Sequence, residues 1–175
     1  STPLYSSAAS DVYKRQDNRP TIAYLFMQKE AAEKFVGNPL FNESLSSLLY
    51  KPLYDCKIIY NFRKDDFDPV PSKDVCLIEF KLKLRSDVDP KMYSLYRDFV
   101  TFAFNRWKAN IKLALRGTFS NLQIKILSST LKFNLEAKPT EVEYDTWIAL
   151  FNEFNKIVPG LSNKILIVEI ISSAE

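Results

Sequence analysis

The side chains available for acid–base, nucleophilic or metal chemistry in this sequence are carboxylates, lysines, tyrosines, hydroxyls and two cysteines, because it contains no histidine. That absence excludes Ser-His and Cys-His activation and removes the commonest metal ligand. Asp65, Asp66 and Asp68 form a carboxylate cluster but lack the glycine and terminal glutamate of a calcium loop, so they read as a solvated turn. Glu141, Glu143 and Asp145 fall in the first turn of an expected helix, where negative charge complements the helix dipole. Cys56 and Cys76 sit on apparent strands with no C-x-x-C spacing and read as buried thiols, with a disulfide left open. The three glycines, Gly37, Gly117 and Gly160, belong to no phosphate-cradling loop. These residues assemble into no catalytic centre, no metal site and no cofactor site.

The basic residues are better organised. Residues 77–139 carry 12 basic against 5 acidic residues, whereas residues 140–175 carry 2 against 6. Lys81, Lys83 and Arg85 alternate along an expected strand. Lys108, Lys112 and Arg116 recur at four-residue steps, which gives them one helix face, and Arg106 lies beside them. Such a cluster neutralises phosphates, so these seven are the candidate RNA-binding residues. Recognition of the RRM kind is not expected, because the outward positions of the expected central strands are Gln123, Lys125, Lys132 and Asn134 rather than aromatics. Tyr50, Tyr54, Phe62 and Phe67 are candidate protein-interface anchors, since aromatics are favoured there.

The elements that must position these groups follow from periodicity. At 175 residues and 46% hydrophobic, the chain has length for one well-buried core. It has no run of about 18 apolar residues to span a membrane. Residues 1–16 are expected to be a non-native, adapter-like or disordered leader, with the native start and any targeting signal missing. Residues 17–74 read as an N-terminal α/β appendage: an apolar stretch into a helix ending at Gly37, a short helix capped by Asn42, then a strand alternating at Cys56, Ile58, Tyr60 and Phe62. Ile78, Phe80, Leu82 and Leu84 alternate with Glu79, Lys81, Lys83 and Arg85, predicting a strand with one wet, basic face. Met92 to Trp107 has apolar residues at three- and four-residue steps, predicting an amphipathic helix of about five turns. Ile111, Leu113 and Leu115, then Leu122, Ile124 and Ile126, then Leu131, Phe133 and Leu135 alternate as strands. Thr140 and Glu143 make a capping-box spacing for a second helix, and residues 164–171 read as an interior strand. The expected architecture over residues 75–175 is α+β: a ferredoxin-like split β-α-β-β-α-β sandwich.

With that order in place, Leu77-Ile78-Glu79-Phe80-Lys81-Leu82, Phe133-Asn134-Leu135-Glu136 running into Pro139-Thr140-Glu141, and Val158-Pro159-Gly160 before the last strand resemble the ribosomal small-subunit protein ten family. The resemblance is greatest to its relative in the large subunit of mitochondrial ribosomes. It implies a non-catalytic structural component of a ribonucleoprotein, with ribosomal RNA and neighbouring ribosomal proteins as partners. It further implies a mitochondrial location, while the composition and the missing motifs already point to no cofactor, no metal, no membrane contact and no small-molecule substrate. The short central turns imply a peripheral position held largely by protein neighbours. The alternative expectation is a protein-interaction subunit of another large assembly, without RNA contact.

Overall fold

The computed structural model describes residues 20–105 and 110–157. It begins with β1 (Ile22–Gln28), which runs without a loop into α1 (Lys29–Val36). The Lys29 amide is tied to the Asp74 carbonyl at 2.9 Å, so the turn is held by the start of the neighbouring strand. Ala32 and Val36 of α1 face inward, and the helix stops at Gly37, whose φ is +60°. Gly37 is required for two reasons. The left-handed backbone disfavours a side chain, and a Cβ there would meet the Glu43 carboxylate and the Lys51 ammonium. α2 (Leu45–Tyr50) begins with a capping box in which Ser44 and Ser47 bond each other's backbone amides.

β2 (Tyr54–Asn61) and β3 (Val75–Leu82) complete an antiparallel sheet in the order β1-β3-β2. Ile78 stands opposite Leu25 on one side and Ile58 on the other. Cys76, Ile78 and Phe80 alternate toward α1 and are buried there with Ala32 and Val36, while Phe35, Tyr50 and Tyr54 close around Phe80. The pairing slips between Ile58 and Tyr60, where consecutive apolar residues interrupt the two-residue period. The sheet thus joins strands from both sides of the boundary expected at residue 74.

The helical layer consists of α3 (Tyr93–Asn105), α4 (Ile111–Ala114), α5 (Asn121–Leu131) and α6 (Tyr144–Ile157). Tyr96, Phe99, Val100 and Ala103 of α3 pack on Trp147, Leu150, Phe151 and Phe154 of α6, with Phe99 and Phe154 stacked 5.2 Å apart. Leu48 of α2 is fully buried in this layer while Tyr50 packs in the other, so one short helix stitches the two cores together. Tyr93 and Tyr96 reinforce the seam by donating to the Leu49 and Leu48 carbonyls.

The expected ferredoxin-like sandwich does not form. Where strands were expected at Ile111, Leu113 and Leu115 and at Leu122, Ile124 and Ile126, the chain is helical. Apolar residues at i, i+2 and i+4 imitate strand alternation, but on a helix i and i+4 share one side and i+2 lies opposite. The burial follows the helical rule: Ile111 and Leu115 are buried together, and Ile124 is buried while Leu122 and Ile126 are exposed. Local capping favours the helices, since Asn110 accepts from the Leu113 amide at 3.0 Å and Ser120 and Gln123 form a capping box. α5 ends at Lys132, in the left-handed conformation at φ 57°. Leu84, expected on the buried face of β3, lies past the end of that strand and is fully exposed. The strand expected over 164–171 falls outside the described residues. Among the described residues, no helix is long and apolar enough to cross a membrane.

Candidate functional site

Two places concentrate chemical groups: the seam between the two layers and the face of the sheet that no described helix covers. At the seam, the chain leaving β3 meets the start of α6 in an open groove of about 640 Å³ lined by Lys83, Arg85, Ser86, Asp87, Tyr144, Asp145 and Ile148. Asp87 is its hub. The Tyr144 hydroxyl donates to the Asp87 carboxylate at 2.8 Å, and Lys83 Nζ donates to the same oxygen at 2.5 Å. Burial, followed by the bond to Asp87, pushes the Tyr144 phenol above its ordinary pKa, so it remains a neutral donor. Two ammonium groups lie over its ring, Lys51 at 5.4 Å and Lys83 at 5.6 Å from the centroid.

Beneath the groove, Glu43 is 1% exposed and accepts from both Lys51 and the Ser47 hydroxyl. Lys51 also donates to the Asn38 carbonyl at 2.9 Å, and the Glu43 amide donates to the Thr140 carbonyl at 2.8 Å. A carboxylate so deeply buried is tolerated because its charge is matched and its oxygens are bonded. The node therefore fastens the loop after α1 to both α2 and the turn that precedes α6.

On the uncovered sheet face, Glu79 lies at the centre. Lys57 pairs with it at 3.1 Å, and hydrogen bonds from Lys57 and then Tyr24 hold its carboxyl below the ordinary range. The same bond to Glu79 raises the Tyr24 phenol. Beside this polar strip, Phe62 stands 5.2 Å from Phe26, 4.7 Å from Tyr60 and 5.5 Å from Phe67. Burial pushes the Cys56 thiol up to about 12 and raises Cys76 as well, which leaves both inert as nucleophiles.

The candidate residues are only partly gathered. Lys81 is exposed on β3, but Lys83 and Arg85 lie beyond the strand and line the groove instead of sharing its wet face. Lys112 is on α4 and Arg116 follows it, whereas Arg106 and Lys108 lie outside the described residues. Phe62 and Phe67 share the aromatic cluster on the open face, while Tyr50 and Tyr54 pack around Phe80 inside the sheet core. Sequence reasoning missed Glu43, Lys51, Asp87 and Tyr144. Nothing local marks Glu43 as buried, and the pairing of Asp87 with Tyr144 spans 57 positions.

The family model described as ribosomal RNA adenine dimethylase matches residues 1–156. The chain is 26% identical over 134 residues to an rRNA adenine N-6-methyltransferase of Bacillus licheniformis, covering 77% of this chain and 46% of that one. It is 26% identical over 154 residues to a ribosomal RNA small subunit methyltransferase A of Prochlorococcus marinus, covering 85% and 52%. Among solved structures it resembles the 23S rRNA methyltransferase ErmE with a TM-score of 0.72 at 18% identity, over 87% of this chain and 62% of that one. It also resembles a dimethyladenosine transferase from Plasmodium falciparum, with a TM-score of 0.59 at 17% identity, over 89% and 65%. This chain thus spans about half the length of the curated relatives it matches. The chain shares its fold with part of each of these two structures, and that likeness replaces the ferredoxin-like assignment.

Such a fold implies the methyl donor S-adenosylmethionine, and the described residues do not fit it. β1 enters α1 with no intervening loop, Gly37 closes a helix against Glu43, and in the groove the Asp87 carboxylate is already engaged by Lys83 and Tyr144. The kinship with ribosomal protein ten and the non-catalytic structural role are overturned by the family match, whose members are named as enzymes, and nothing in that match supports ribosomal-protein partners. The chain belongs to the ribosomal RNA adenine dimethylase family.

Proposed function

We propose that this chain is part of an enzyme that methylates the exocyclic amine of adenine in ribosomal RNA. The observation that carries this reading is the family match across residues 1–156. The earlier expectation of a ribosomal RNA partner is kept, with the RNA as substrate. The expectation of no small-molecule substrate is withdrawn, because methylation consumes a methyl donor. Since the described residues do not fit that donor, no catalytic step is assigned to them.

Their part in this reading is to engage the RNA. Lys81, Lys83, Arg85, Lys112 and Arg116 supply cations for its phosphates, with Lys83 and Arg85 at the seam and Lys112 and Arg116 on the helical layer. The seam node keeps Lys83 in place through Asp87 and Tyr144.

The test is transfer of a labelled methyl group to unmethylated ribosomal RNA by a family-length protein containing this sequence. Label recovered as N6-methylated adenine supports the reading. Absence of label from a folded protein that binds both RNA and donor refutes it.

A further inference from the structure

The groove at Asp87 has the charge balance of a site that is already filled. Its lining holds two cations, Lys83 and Arg85, and two carboxylates, Asp87 and Asp145, so the charges cancel. The Tyr144 hydroxyl at 2.8 Å and Lys83 Nζ at 2.5 Å converge on one oxygen of Asp87, Oδ2. One neutral and one cationic donor aimed at a single point is an arrangement that also receives a phosphate oxygen. Arg85 is exposed in the same groove and, among the described residues, pairs with no carboxylate. The backbone here is pinned separately: the Asp87 amide and the Ser86 hydroxyl each donate to the Pro52 carbonyl at 3.0 Å. The partly exposed carboxylate can therefore turn away while its chain stays in place, and the layers stay joined by Glu43, Lys51 and Leu48 underneath.

We propose that the Asp87 carboxylate stands where a backbone phosphate of the RNA binds, and that bound RNA takes Lys83 and Tyr144 over from it. Asp87 is then an internal competitor. It holds the two donors in position while the groove is empty, and it sets a threshold against polyanions too weakly held to displace it. This rests on the functional reading for the identity of the ligand and adds a regulation to that site. A phosphodiester suits the exchange because it brings two unesterified oxygens, one for the Lys83 and Tyr144 pair and one for the planar fork of Arg85. The exchange makes little demand on stability, since an exposed ion pair such as Lys83 with Asp87 contributes far less than the buried Glu43 and Lys51 pair.

The experiment measures binding of a ribosomal RNA fragment, over a range of salt, to a family-length protein containing this sequence. Asp87→Asn should tighten binding about fivefold near physiological salt. It should also steepen the slope of log affinity against log salt by about 0.7–0.9, the share of one added phosphate contact. Asp145→Asn removes the same charge from the same groove but releases neither donor, so its gain should be clearly smaller. Adding Tyr144→Phe to Asp87→Asn should take back part of the gain. Asp87→Ser carries the same prediction and covers a folding defect in the asparagine variant. Equal gains from Asp87→Asn and Asp145→Asn overturn the proposal, and so do an affinity and slope unmoved by either Asp87 variant with the parent's circular-dichroism spectrum. Methyl transfer is read on the same proteins. RNA that is methylated with no special effect of Asp87 sinks this proposal alone, whereas no RNA bound by any variant sinks the functional reading along with it.

Discussion

The Tyr144 hydroxyl and the Asp87 carboxylate, 57 positions apart and 2.8 Å from each other, join the start of α6 to the chain leaving β3. The bond crosses the seam at its exposed end, while Glu43 and Lys51 cross it underneath. The two hydrophobic cores thus share polar fastenings as well as Leu48.

Removing the hydroxyl with Tyr144→Phe should lower stability by about 1 kcal/mol, less than is usual for a bond to a charged acceptor because Asp87 is partly exposed. Urea denaturation measures this. An unchanged midpoint would show that the seam does not depend on the bond.

Breaking the buried pair should cost more. Lys51→Met leaves the Glu43 carboxylate buried without its counter-charge, and the loss should be about 3–5 kcal/mol. Adding Glu43→Gln to Lys51→Met should recover part of it, and a double-mutant cycle reads the coupling. Strictly additive losses would contradict the node.

Alkaline pH should destabilise the fold through Cys56. Its folded pKa is raised from 9.0 to about 12, so the folded state holds the proton more tightly than the unfolded one. The resulting stability is complete below pH 9 and is lost as pH rises from 9 toward 12. Cys56→Ala should flatten the urea midpoint across that window. An equally steep decline in the variant would assign the effect to other groups, with Tyr144 and Tyr96 acting above pH 10.

The α5 start gives a direct check on the corrected fold. Ser120→Ala removes the acceptor for the Gln123 amide and should cost about 1 kcal/mol. A negligible effect would fit an extended segment better than a capped helix.

β3 was legible because Cys76, Ile78 and Phe80 bury one face and leave the other wet, which is a period-two signal produced by the sheet itself. The two helices around Asn110 and Ser120 were not, because apolar residues at i, i+2 and i+4 satisfy both periods and only burial separates them. The caps that decide the matter were present in the sequence as Ser120 with Gln123 three residues on. The groove was half legible: Lys83 and Arg85 stood out by charge, but Asp87 and Tyr144 acquire their roles only from tertiary proximity. Family membership was illegible to motif reasoning, since the described residues carry none of the glycine-rich loops by which nucleotide sites announce themselves.

The central claim is adenine methylation of ribosomal RNA, and nucleoside mass spectrometry tests it most directly. Ribosomal RNA would be taken from cells of the source organism with and without the gene that carries this sequence. The account predicts that at least one N6-methylated adenine present in the parent is lost on deletion and restored by the intact gene. Identical N6-methyladenine profiles in the two strains would contradict it.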